Sequence, residues 1–128
     1  MYPNPQYDYD YGPDGPLAPL QARSISPDFP VMISPPIGWV PLVLKLNEDL
    51  AAILPDYTIG QVKEKFAELR FYIDSYGVGR DDPRYALARD LISEAEAQSM
   101  RTCQICGQPG VFQDDLRWHA TLCDEHAS

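Results

Sequence analysis

The stretch RTCQICGQPGVFQDDLRWHATLCDEHAS, residues 101–128, holds all three cysteines and both histidines of the chain. Cys103 and Cys106 form a C-x2-C pair, and sixteen residues further on Cys123 and His126 form C-x2-H. Two ligands three positions apart on a tight turn can face one ion, and Gly107 suits the backbone of such a turn. Two facing knuckles supply three thiolates and one imidazole, a tetrahedral donor set that suits Zn2+. Four protein donors also close the metal sphere, whereas a catalytic zinc keeps a position open for water. The spacing therefore predicts one structural zinc per chain, held by Cys103, Cys106, Cys123 and His126. His119, four residues before Cys123, is an alternative fourth ligand; His126 is preferred because C-x2-H mirrors the first knuckle.

A metal module of this size has only Val111, Phe112, Leu116, Trp118 and Leu122 to bury, so other elements must carry it. The segment PRYALARDLISEAEAQSM reads as a helix leading directly to Cys103, with Leu87, Leu91 and Ala95 on one face and Ala88, Ile92 and Ser99 beside it. The Gly, Asp and Pro of GVGRDDPRY mark a loop before it. Upstream, WVPLVLKLNEDLAAILPD reads as another helix, with Pro41 in its first turn and Pro55 as its stop. Its Leu42, Leu46, Leu50 and Ile53 share a face, with Val43 and Leu54 beside them, while Lys45, Glu48 and Asp49 face out.

Between the helices, Leu69, Phe71 and Ile73 alternate with Arg70, Tyr72 and Asp74, the period of a strand. Residues 58–67 admit two readings. They are rich in β-formers, which favours a hairpin with the strand that follows. Thr58 and Gln61 nevertheless make a capping box, and Ile59, Val62, Phe66 and Leu69 keep helical spacing. The hairpin is preferred and the helix is the alternative.

Residues 1–36 differ in composition, with nine of the thirteen prolines, four of the eight tyrosines and no helical or strand period. They read as an extended or disordered arm, with 37–128 as a single α+β domain that includes the zinc module. Tyr7, Tyr9 and Tyr11, separated by acids, form a candidate linear motif in the arm, and the more apolar residues 25–39 are expected to lie along the domain surface. The resulting fold class is α+β: about two helices, a β-hairpin, and a zinc-ribbon or treble-clef-like module at the C-terminus.

The net charge of −9 argues against a duplex nucleic-acid binder, which needs a basic face to neutralise phosphates. No apolar run is long enough to span a bilayer, and the start MYPNPQYDYDYG lacks a secretion signal's charge and apolar core. A cytoplasmic location is expected, where thiols stay reduced. Neither a phosphate-binding glycine loop nor a nucleophile elbow is present, and Asp81-Asp82, Asp114-Asp115 and Asp124-Glu125 read as solvated loops. The one basic-aromatic strip comprises Lys63, Lys65 and Arg70 with Phe71 and Tyr72.

From GWVPLV onward the chain resembles a family of small uncharacterised proteins of bacteria, prophages and phages. The matching pieces are Gly38-Trp39, Pro41-Leu42, Pro55-Asp56-Tyr57, QVKEKF at 61–66, LRFY at 69–72, EAE at 94–96, TCQICGQPG at 102–110 and TLCDEH at 121–126. They cover about residues 38–126. The family pattern usually has glycines after Lys-Phe, where this chain has Ala67 and Glu68; glycine favours the hairpin turn and Ala-Glu favours a helix. The resemblance implies a zinc-binding accessory protein, often phage-encoded, and no known reaction.

Together these readings predict a non-enzymatic zinc-binding protein that works by protein–protein contact, acting as a phage factor on a host protein. The candidate contact residues are Lys63, Lys65, Arg70, Tyr72, Tyr7, Tyr9, Tyr11 and Trp118. The second reading is a nucleic-acid-associated regulator using the zinc module and the Lys63–Arg70 strip.

Overall fold

The computed structural model describes residues 5–24, 31–74, 77–114 and 119–127. The elements run α1 (Ala18–Gln21), α2 (Val40–Ile53), β1 (Thr58–Lys65), β2 (Glu68–Asp74), α3 (Pro83–Ser99), β3 (Val111–Asp114), β4 (His119–Leu122) and α4 (Asp124–Ala127), with single 3-10 turns at Pro5–Tyr7 and Ile37–Trp39. Two antiparallel two-stranded sheets, β1–β2 and β3–β4, give the expected α+β class.

Helix α2 carries Pro41 in its first turn and buries Val43, Leu46, Asn47 and Leu50, while Leu42 is only half-buried. The buried stripe is thus rotated slightly from the Leu42–Leu46–Leu50 line. Asn47 tolerates its buried place because it accepts a hydrogen bond from the Tyr57 hydroxyl. Helix α3 begins at Asp82, whose carboxylate accepts from the Arg84 backbone N–H at 2.9 Å, with Pro83 at the first helical position. The face it buries is Ala88, Ala95 and Ser99, so the expectation that Leu87 lines the core is corrected: Leu87 is 52% exposed. Small residues on the packed side let α3 approach α2 and β2 closely, with Leu91 and Ile92 packing partly buried beside them.

Residues 58–67 take the hairpin conformation. Lys65 pairs with Glu68, Lys63 with Arg70 and Gln61 with Tyr72, with one register shift between Ile59 and Gln61. The connection is a two-residue loop, Phe66-Ala67, with φ of 53° and 66° at the two positions. Positive φ at both is the signature of the mirror-image turn whose twist matches a hairpin. It favours Asn-Gly, so Phe-Ala adopts it against its own preference, at on the order of 1 kcal/mol per residue. The Glu64 side chain accepts from the Ala67 N–H at 2.8 Å and helps hold the turn.

Both hairpin edges are covered. Val62 donates its N–H to Met32 O at 2.8 Å and accepts from Ser34 N at 2.8 Å, and Ile59 N donates to Arg23 O at 2.6 Å. On the other side Leu69 N donates to the Ser99 hydroxyl at 2.9 Å, and Phe71 N donates to the Glu96 carboxylate. Two helix side chains three positions apart thus cap two strand N–H groups two positions apart. A covered edge cannot recruit another strand.

These contacts correct the reading of residues 1–36 as an extended or disordered arm outside the domain for 5–24 and 31–36; residues 1–4 and 25–30 lie outside the described residues. Leu17 and Leu20 are both fully buried and belong to one apolar cluster with Trp39, Val43, Tyr57 and Leu69. Arg23 donates to the carbonyls of Pro55 and Tyr57 and stacks over the Tyr57 ring at 4.4 Å. Pro-rich composition removed the periodicity by which a buried segment is recognised, yet α1 needs only one turn to place two leucines. As a flank of β1, residues 31–36 also go further than lying along a surface.

Candidate metal centre

The first knuckle follows the end of α3. Gly107 N donates to Cys103 O at 3.0 Å, Ile105 N points at the Cys103 sulfur at 3.4 Å, and Gly107 takes φ of 79° to close the turn. The turn also packs on Gly38, where an added Cβ would meet Cys103 O at 2.1 Å, so only glycine fits. The second knuckle is the step from β4 into α4, with His126 N and Ala127 N both donating to Cys123 O, at 3.1 and 2.9 Å.

Together the knuckles bring Cys103, Cys106, Cys123 and His126 within 4.8 Å of one another. The Cys106 and Cys123 sulfurs are 3.6 Å apart, and His126 Nδ1 lies 3.6 Å from Cys103 Sγ and 3.2 Å from Cys123 Sγ. Zn–S bonds of about 2.3 Å in a tetrahedron put neighbouring donors roughly 3.5–3.8 Å apart, so the cluster matches one metal ion. A disulfide would need about 2.05 Å, so the cysteines are free thiols. The four residues could therefore hold a metal ion, consistent with zinc.

The thiols differ before any metal binds. Burial opposes ionisation of Cys103, but N–H groups from Cys106, Cys123 and Ile105 outweigh it and hold the thiol down at about 6. Cys106 gains an N–H from Gln108, yet desolvation and the neighbouring cysteines push it up to about 11. A bound cation would favour the thiolate form of both.

The module is joined to the body by a buried polar relay. Gln104, inside the first knuckle and 1% exposed, donates from its side chain to the Gln6 side chain at 2.5 Å and accepts from Thr121 N at 2.7 Å. Its backbone bonds Gly38 N and Thr121 O, both at 2.9 Å. Trp39 donates its indole N–H to Thr102 O at 2.8 Å. Sequence reasoning passed over Gln104 and Thr121. The available signal was a non-ligand glutamine between the two cysteines, a position usually free to be any polar residue.

His119 stands apart from the four donors. It pairs with Asp114 at 3.2 Å, and its ring stacks on Phe112 at 5.5 Å between centroids. Trp118 lies outside the described residues. Lys63, Lys65, Arg70 and Tyr72 do share the outward face of the β1–β2 hairpin, as their register pairs require, with Arg70 ion-paired to Glu68. The tyrosines are anchored: Tyr9 donates its hydroxyl to Pro35 O and packs on Tyr11 at 4.3 Å, and burial pushes the half-buried Tyr7 up to about 12. Tyr11 alone of the three is classed as exposed.

Among the described residues, no helix is long and apolar enough to cross a membrane. Comparison with protein-family models, with curated proteins and with solved structures found no match.

Proposed function

We propose that this chain is a non-enzymatic interaction protein whose C-terminal cluster holds one structural zinc ion. The observation that carries the reading is the donor set: three thiolates and one imidazole at tetrahedral spacing, with every position taken by the protein. A metal so enclosed staples β4, α4 and the first knuckle to the body and offers substrate no place to bind.

The contact surface in this reading is the outward face of the β1–β2 hairpin. Lys63 sits directly opposite Arg70, and like charges in that register destabilise a sheet by roughly 0.2–1 kcal/mol. Glu68 already answers Arg70 on this face, which leaves Lys63 and Lys65 as the cations that a partner's carboxylates would meet. The partner is therefore a protein with an acidic surface. The resemblance of residues 38–126 to small phage and prophage proteins supports placing that partner in a bacterial host.

The three cations beside Tyr72 also support a second reading, contact with nucleic acid. Salt dependence separates the two, since phosphate contacts give a steep loss of affinity with added salt. The first reading is tested by affinity capture on the zinc-loaded chain, followed by direct binding of each purified candidate. A host protein that binds wild type and fails to bind Arg70→Glu of equal zinc content supports it. Salt-steep binding to an oligonucleotide with no protein captured would replace it.

A further inference from the structure

The seam between the β1–β2 turn and the β3–β4 hairpin carries large apolar side chains in solvent. Phe66 is 67% exposed, Val111 61% and Phe112 49%. The His119 ring lies between the two phenylalanines, 5.5 Å from Phe112 and 6.1 Å from Phe66. Lys65 places its ammonium 5.8 Å from the Phe66 ring, at the end of the face that bears Lys63 and Arg70.

Phe66 is costly for the fold twice over. It takes φ of 53°, a conformation that glycine or asparagine adopts without penalty, and it leaves most of its ring in water. Strained backbone persists where surrounding structure enforces it, and such sites cluster at places of recognition. Two side chains hold it here: Glu64 accepts from the Ala67 N–H at 2.8 Å, and Thr121, in the metal module, donates its hydroxyl to Ala67 O at 3.0 Å. The seam therefore exists only when the hairpin and the metal module are docked on each other.

We propose that Phe66, Phe112 and His119 form the anchoring site for a protein segment that presents a large apolar side chain flanked by carboxylates. The apolar group lies against the two rings, and the carboxylates meet Lys65 and Lys63. Charge selects this partner. The chain carries 19 acidic against 10 basic residues, yet residues 63–70 hold three of the ten cations against two acids, Glu64 and Glu68. Among the described residues Lys63 and Lys65 make no ion pair. Aromatic anchors flanked by complementary charge are the usual centres of protein interfaces. This deepens the proposed function and rests on it, moving the centre of contact from the hairpin face to its Phe66 turn.

The test is selection from a displayed library of random short peptides on the zinc-loaded full chain. Parallel selections use Phe66→Gly, Phe66→Asn, Phe112→Ser and Arg70→Glu. Both Phe66 substitutions relieve the turn, so their melting temperatures should be no lower than wild type and their zinc content equal. Peptides enriched in large apolar residues with Asp or Glu, binding Phe66→Gly and Phe66→Asn at least about tenfold more weakly, are the expected result. Equal recovery on the Phe66 variants overturns the proposal, as do basic peptides or no enrichment over bare matrix. So does oligothymidine binding that Phe66→Gly abolishes. Peptides lost on Arg70→Glu but kept on both Phe66 variants sink the seam alone and leave the hairpin-face reading standing.

Discussion

The Thr121 hydroxyl donates to the backbone carbonyl of Ala67 at 3.0 Å, and both residues are buried. One lies on the strand that leads to Cys123, the other in the strained hairpin turn. Metal binding and hairpin geometry are thereby linked through a single hydrogen bond. Thr121→Val keeps the shape and removes the donor, leaving the Ala67 carbonyl unsatisfied. The expected cost is about 1–3 kcal/mol, read from urea denaturation of the zinc-loaded protein. Zinc stoichiometry should not change, and a variant as stable as wild type would break the link.

Leu17 and Leu20 sit in the core cluster, so the segment 5–24 contributes to folding. Leu20→Ala should cost about 2–5 kcal/mol, as truncation of a buried leucine does. Removing residues 1–36 should lower the thermal midpoint far more than any exposed substitution. An unshifted midpoint after that deletion would show that the segment is a dispensable arm.

The readable parts of the sequence were those whose geometry is local. Ligand spacing and Gly107 define the two knuckles within a few residues each, and the apolar spacing of PRYALARDLISEAEAQSM marks α3. The hairpin was harder. Thr58 and Gln61 offer a capping box, and what favours strand is distant: Met32 and Ser34 on one edge, Ser99 and Glu96 on the other, Thr121 at the turn. Partners about twenty-five to fifty-four residues away leave no periodic trace. Leu17 and Leu20 were illegible for the same reason, since one turn of helix among prolines shows no pattern. Gln104 has no local signature either, since its four hydrogen bonds go to three distant residues, Gln6, Gly38 and Thr121.

Glu96 supplies a pH prediction. Burial raises its carboxyl above the ordinary range, Glu68 adds to the effect, and the Phe71 N–H, Arg70 and Arg89 partly oppose it. Below the unfolded value of about 4.3 the group is protonated in both states and costs nothing. As pH rises, the unfolded chain loses its proton first, so stability falls until Glu96 ionises in the native state as well. Glu96→Gln keeps an acceptor for Phe71 and removes that slope. Wild type and variant should differ in stability increasingly, in the variant's favour, from pH 4 towards neutrality. A constant difference across that range would contradict the raised value.

The most direct measurement is zinc-edge X-ray absorption on protein purified without chelator, together with its metal content. The account predicts one zinc per chain in a shell of three sulfurs at about 2.3 Å and one nitrogen at about 2.0 Å. Cys103→Ser should release the metal. A chain purified without zinc, or a shell holding an oxygen from water in place of a protein donor, would contradict the closed structural site.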